Sequence, residues 1–525
     1  MSLKQVDLSE EDLAFHKEVG LINRWWQSPK QSHVQRQIFH VIKAEKHRFG
    51  VHRPYTASDV ASLRSSLGVE YPASVQALKL WSLLHEHRRN GTAEMTFGMI
   101  DPVMASQMEG QQTIYVSGAL CAFSKADCIG QDMSDYPWDT VPKAASTIFK
   151  SQVYHDARQR QDRMRRSKEE RATMSHARDY LLPIVADADM GFGSQTATMK
   201  LVKRLVEAGV AMFHLDDLSL SGKRFTDGGG HTVVSTREYL RRLGAARLQL
   251  DIMGAETLIL CRCDIDGAQY ITTDIDPRDH PYILGATVDV EPLASLGNAS
   301  SARVKEWKRR AKVKTFDETV ECNATEEQIT EYHHLLKSKS VCSLQERQRI
   351  AGQVLKGKEV FFDWQSARTC DGRYLYSPSV QAILDRSLAA APLGDATWAR
   401  MDLIMDKLVK FHNEFRKVYP ERLFACGYSA TFPFPSMGYS DEDVKNFHRS
   451  LAKLGIVWQV QPGFALQGLN YTTKKFSSMF GEEGIGGYVR DIQEPAMKVD
   501  TDGYEKMQWS GGYITDAYGD LLAGL

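Results

Sequence analysis

Six short apolar runs, each closing on a small, acidic or otherwise polar residue, constrain this chain more than any other feature. They are Thr113–Val116 before Ser117-Gly118, Leu182–Ala186 before Asp187, Ala211–Leu215 before Asp216, Thr257–Leu260 shortly before Arg262, Leu423–Cys426 before Gly427, and Ile456–Val460 before Gln461. Runs of this length, mostly apolar, read as strands. Amphipathic stretches lie between several of them, such as Thr196–Ala208 and Thr236–Arg247. Strands alternating with helices predict a parallel sheet with crossovers. Six or more such units favour an α/β fold closed into a β/α barrel of the TIM type over an open sheet.

The rest of the chain is arranged around that barrel. Residues 1–95 read as a polar helical region, with apolar residues at helical spacing through Leu13 to Trp26 and Val75 to Leu84. The barrel is expected over 96–284 and 356–490. Residues 285–355 are charged, Lys-rich and strand-poor, and read as a helical insertion. Residues 491–525 form a C-terminal segment expected to pack on a neighbouring subunit. The charge run at 155–178 mixes signs and reads as a solvated helix.

Lys plus Arg is 65 against 66 for Asp plus Glu, so the net charge is -1 and no basic face is on offer to nucleic acid. No run of about 18 apolar residues predicts a membrane span. The eight cysteines include no C-x-x-C pair and read as reduced thiols. The first residues are polar and acidic, without an apolar leader core, and the expected compartment is the cytoplasm.

In a β/α barrel, chemistry sits at the C-terminal strand ends. Here those ends carry Asp187, Asp189, Asp216, Asp217, Arg262 and Asp264, with Asp132 and Asp135 in the loop after the Ser117 strand. Converging carboxylates repel unless a cation neutralises them. Mg²⁺ takes oxygen ligands and keeps waters, which leaves positions for a substrate. Arg262 can hold a substrate carboxylate through its planar fork. Any one Asp in such a loop is by default a helix N-cap. Asp187-Ala188-Asp189 followed by Gly191-Phe192-Gly193, with Asp216 and Arg262, is read as a site, because the glycines admit close approach of backbone to a ligand. Cys261 and Cys263 share one strand face and read as packing. His85, His87, His333 and His334 read as surface residues, and Gly228-Gly229-Gly230 as a loop over the pocket.

These segments resemble the isocitrate lyase family, in particular its long fungal type. The matching stretches are HRPYTASDV, EYPASVQALKLW, TIYVSG, YPWDTVPKA, PIVADADMGFG, REYLRRLGAARLQLDIMG, IDPRDHPYILG, FFDWQSARTCDGRYLY and KMQWSGGY. The resemblance implies a barrel with a helical insertion and helical extensions, Mg²⁺, a homotetramer with exchanged C-terminal helices, and a small carboxylic-acid ligand. It also implies retro-aldol cleavage of isocitrate into succinate and glyoxylate; 2-methylisocitrate lyase is a close relative. Asp132, Asp187 and Asp189 match the family's metal-shell carboxylates, and Asp216 stands where the family has Glu. Ser117 and Gly118 match its substrate-binding Ser-Gly, and Arg262 its substrate arginine. Of its Tyr-Asn-x-Ser-Pro-Ser, Ser429 and Thr431 keep two hydroxyls while Gly427 loses the Asn.

The catalytic signature, Lys-Lys-Cys-Gly-His, falls on Lys223-Arg224-Phe225-Thr226-Asp227. Phe225 takes the place of the catalytic cysteine, and a phenyl ring transfers no proton. Ala119 replaces a Trp, Pro462 replaces a Thr, and no acid is visible near Thr397–Ala399, where the family has a substrate-side Glu. The chain is therefore expected to be a Mg²⁺-dependent carbon–carbon lyase on a 2-hydroxy or 2-oxo acid, with altered substrate. Asp227 and His231 are the candidate acid/base residues. Two alternatives stay open: a catalytically silent paralogue, and a true isocitrate or 2-methylisocitrate lyase with an unusual acid.

Overall fold

The computed structural model describes residues 8–27, 51–126, 136–174, 176–220, 230–297, 300–339, 341–428, 432–498 and 512–524. Its strands, in chain order, are β1 (Glu94–Met99), β2 (Ile114–Val116), β3 (Ile184–Asp187), β4 (Val210–Asp216), β5 (Thr232–Val233), β6 (Leu258–Cys263), β7 (Tyr270–Ile271), β8 (Tyr374–Leu375), β9 (Ala396–Ala399), β10 (Leu423–Gly427) and β11 (Ile456–Gln461). Eight of them close into a barrel in the order β1-β2-β3-β4-β6-β9-β10-β11, with β11 returning to β1. Every pairing around the ring is parallel. The remaining three, β5, β7 and β8, form a small separate sheet.

All six apolar runs fall on barrel strands. Two further strands lie outside them, for physical reasons. β1 begins with the acid Glu94, which is buried because its Oε1 accepts from the Gln112 and Thr113 amides (2.7 and 2.8 Å). β9 is Ala396-Thr397-Trp398-Ala399, whose small and polar residues leave no apolar run to stand out.

Every residue of β3 and β4 is buried, as expected of strands covered on both sides. Outward, Ala186, Phe213, Leu215 and Ile259 pack under Leu201 and Leu205 of helix Gln195–Glu207 and under Leu243 and Leu250 of helix Thr236–Met253. Cys261 is buried in this layer too. Inward, Tyr115, Val185, Met212, Leu258 and Trp458 meet Ala77, Leu80 and Leu84 of helix Pro72–Asn90. That helix plugs the N-terminal end of the barrel and leaves the C-terminal end for chemistry.

Between β7 and β8 the chain carries helices Ser301–Arg310, Phe316–Glu321, Glu326–Lys337 and Leu344–Val354. Capping boxes at Thr315/Glu318 and Thr325/Gln328 start the middle two, and Phe316, Val320, Tyr332 and Ile350 give them an apolar cluster of their own. At the other end, helix Phe464–Tyr488 buries only Ala465 and Gly487 among its described side chains and is kinked at Gly484 (φ 57°). His85 is not a surface residue. It packs edge-on against Trp81 (4.3 Å), and burial, aided by Arg89 and Arg88, pushes it down to about 4.

Candidate active site

Strand register assembles the site. Parallel pairing sets Asp187 of β3 beside His214 of β4, Asp216 of β4 beside Arg262 of β6, and Arg262 beside Trp398 of β9. Side chains alternate along a strand, so Met212, His214 and Asp216 share the inward face of β4. His214 lies fully buried between the two acids. Its Nδ1 is 2.9 Å from Asp216 Oδ1, and its Nε2 is 3.4 Å from Asp187 Oδ1 and 3.0 Å from the Tyr115 hydroxyl. One ligand atom from each of Asp187, His214 and Asp216 lies within 4.8 Å of the others.

The loop after β3 is wound tightly around this cluster. Asp187 Oδ1 accepts the Asp189 amide (2.9 Å), and Asp187 Oδ2 accepts the Gly118 amide (3.0 Å). The Tyr136 hydroxyl donates to Asp189 Oδ2, and the Asp216 amide donates to the Asp189 carbonyl (2.6 Å). Asp189 and Phe192 take positive φ (44° and 55°), a conformation that costs non-glycine residues on the order of 1–3 kcal/mol and gathers at functional sites.

The electrostatics call for a cation. Burial, reinforced by the charge of Asp216, holds Asp189 well above the usual carboxylate range. Burial pushes Asp216 up to about 6, although Arg262 and His214 pull the other way. Asp216 Oδ2 is buried and makes no hydrogen bond among the described residues. A buried acceptor left in that state is costly unless a proton or cation answers it. Hard carboxylate oxygens suit a divalent ion such as Mg²⁺. With both ring nitrogens hydrogen-bonded, His214 orients the acids.

Of the sequence candidates, Asp187, Asp189 and Asp216 come together here with Gly118. Ser117 is buried at the end of β2, where its hydroxyl caps the short helix Gly118–Ala122. Asp217 and Asp264 leave the cluster. Asp217 accepts from the Asp264 amide (2.8 Å) and pairs with Arg386 (3.0 Å). Asp264 pairs with Arg262 through Nε (3.1 Å) and Nη2 (3.0 Å), and the Arg262 guanidinium stacks on Trp398 at 4.6 Å. His231 is buried beside them, its Nε2 3.2 Å from the Asp264 carbonyl, and burial lowers its basicity. Asp132, Phe225, Asp227, Ser429 and Thr431 lie outside the described residues.

Two residues escaped the sequence reading. His214 stands two positions before Asp216, so strand periodicity alone would have put it on the same face. Arg400 directly follows β9, so the strand end where an acid was sought delivers a base.

A family model described as the isocitrate lyase family matches residues 18–524. This chain belongs to the isocitrate lyase family. That is a family of carbon–carbon lyases, and the sequence expectation of this chemistry stands. Its relatives within the isocitrate lyase family include the mitochondrial 2-methylisocitrate lyase of Schizosaccharomyces pombe, 49% identical over 97% of this chain and 96% of the relative. The isocitrate lyase of Oryza sativa is 35% identical over 97% of this chain and 90% of its own. The mitochondrial 2-methylisocitrate lyase of Hypocrea atroviridis is 32% identical over 98% and 92%. The naming of such relatives as mitochondrial overturns the cytoplasmic expectation and points to mitochondria. The expectation leaned on the polar, acidic first residues and on reduced thiols, and reduced thiols do not separate the cytosol from a mitochondrial matrix.

Proposed function

We propose that this chain is a Mg²⁺-dependent lyase that cleaves a 2-hydroxy polycarboxylic acid in the retro-aldol sense, with 2-methylisocitrate as the first substrate to test. The observation that carries this reading is the Asp187–His214–Asp216 cluster facing Arg262 across one strand pairing. Asp187, Asp189 and Asp216, with Asp132, would hold the ion. Bound there, Mg²⁺ supplies Lewis acidity to a substrate oxygen. Arg262, pre-oriented by Trp398 and Asp264, holds a substrate carboxylate. Ser117 and Gly118, with Ser429 and Thr431 by the family resemblance, would contact the substrate. His231 is kept neutral by burial and can accept or return a proton, and Asp227 is the second candidate for that role.

A methyl on the carbinol carbon of isocitrate turns the released glyoxylate into pyruvate, so carbonyl release separates the two substrates. Purified protein with Mg²⁺ is expected to release pyruvate from 2-methylisocitrate faster than glyoxylate from isocitrate, by about tenfold or more, the discrimination one methyl group supports. Equal or reversed rates would sink the substrate assignment. Activity unchanged by EDTA would sink the metal.

The homotetramer belongs to the same proposal. Helix Phe464–Tyr488 exposes Leu469, Tyr471, Phe480 and Ile485, apolar surface of the kind that a neighbouring subunit covers.

A further inference from the structure

The mouth of the barrel carries a second arginine. Arg400 follows the last residue of β9, and its amide donates to the Cys263 carbonyl (2.9 Å), which extends the pairing with β6 by one residue. It stands two positions after Trp398, the residue on which Arg262 stacks, and so on the same face. The Arg400 Nε lies 4.0 Å from Asp264 Oδ1, the same oxygen that Arg262 Nε reaches at 3.1 Å.

The hydrogen bonds at this point do not balance, although the Asp266 carboxylate also lies within electrostatic reach of Arg400. Asp264 is 2% exposed and is already engaged on both oxygens by Arg262. Arg400 is too far for a hydrogen bond to it. Among the described residues the Arg400 guanidinium makes no hydrogen bond, although its side chain is only 28% exposed. A guanidinium carries five N–H donors and no acceptor, and one carboxylate does not satisfy two of them. At two neighbouring strand ends, Gly427 and Pro462 have no side-chain donor to give a ligand.

We propose that Arg400 is a specificity-determining residue that receives a second carboxylate of the ligand. The site then selects di- or tricarboxylic acids, one carboxylate held between the metal cluster and Arg262 and another held by Arg400. This rests on the carboxylic-acid lyase reading above. Selection comes from the unpaired donors: an acid lacking the second carboxylate leaves Arg400 without an acceptor.

The test is equilibrium binding by calorimetry to the full chain with Mg²⁺, using succinate as the dicarboxylate and pyruvate as the monocarboxylate. Arg400→Gln is expected to weaken succinate by about 10- to 100-fold, as for loss of a charge-assisted hydrogen bond, and to leave pyruvate and Mg²⁺ affinities within about twofold. Arg400→Lys is expected to recover part of the loss. If Arg400→Gln and Arg400→Lys both bind succinate as the parent does, or weaken succinate and pyruvate alike, Arg400 merely braces Asp264 and the inference fails while the lyase reading stands. If the parent chain binds neither Mg²⁺ nor either acid, the lyase reading itself fails and takes this inference with it.

Discussion

At the scale of single residues, the site is a set of acids held close together by one imidazole. His214 touches both Asp187 and Asp216, so its removal should loosen the metal without unmaking the barrel. His214→Ala is expected to weaken Mg²⁺ binding by about 10- to 100-fold, the usual effect of removing a residue that orients metal ligands, and isothermal titration with Mg²⁺ reads it. The acids also set a pH dependence. Burial raises Asp216 to about 6 from an ordinary 3.8. A carboxyl raised on folding stabilises the protein fully below its unfolded value and loses that contribution as pH climbs through about 6. A bound dication reverses the sign, because it favours the ionised form. Thermal unfolding in EDTA and in Mg²⁺ should therefore diverge as pH rises from about 5 to 8, with the metal-induced gain largest at the alkaline end. A constant gain across that range would show that Asp216 does not compete with the ion. These acids were legible in the sequence because Asp-Ala-Asp at a strand end, followed by two glycines, has few other uses. His214 is not legible in the same way, because a single histidine on a strand carries no ligand spacing of its own and only its alternation with Met212 and Asp216 marks its face.

At the scale of elements, the junction of β2 with its helix is the tightest fit to the site. A Cβ on Gly118 would stand 2.8 Å from Asp187 Oδ2 and collide with the Tyr136 hydroxyl. Gly118→Ala is expected to cost about 1–3 kcal/mol, as overpacking does, and to lower Mg²⁺ affinity with it, because Asp187 must move. Denaturant unfolding and metal titration on the same variant check both. At β10, a Cβ on Gly427 would run into the Trp398 ring, so Gly427 and the Trp398 platform under Arg262 belong together. The barrel strands that were legible in the sequence were those made mostly of large apolar residues. β9 was not, because Ala396, Thr397 and Ala399 are small or polar and leave no apolar run around Trp398, and Arg400 directly follows it. The ends of β4 and β6 were legible as positions, yet their pairing of Asp216 with Arg262 was not, since register is fixed by contacts between strands.

At the scale of the whole molecule, the unburied helix at 464–488 sets the expectation for assembly. Tyr471→Asp with Ile485→Asp places charge on side chains that are 70% exposed in the single chain, so the isolated fold should tolerate both. If this face is covered by a neighbouring subunit, the double variant is expected to shift mass from tetramer to smaller species by multi-angle light scattering, with little change in secondary structure by circular dichroism. A parent chain that is monomeric at micromolar concentration would remove the tetramer from the proposal.

The plug formed by Ala77, Leu80 and Leu84 has a kinetic consequence. With one end of the barrel stoppered by a helix and its interior filled by side chains, a ligand at the strand ends has one way in and out, the rim. Two fragments made there by the proposed cleavage share that one exit and are expected to depart in order. The fragment nearer the rim exits first, and the one seated on the acids stays behind until the way is clear. Product inhibition should record that queue, with the last fragment out competing directly with substrate and the first one out inhibiting in a noncompetitive pattern.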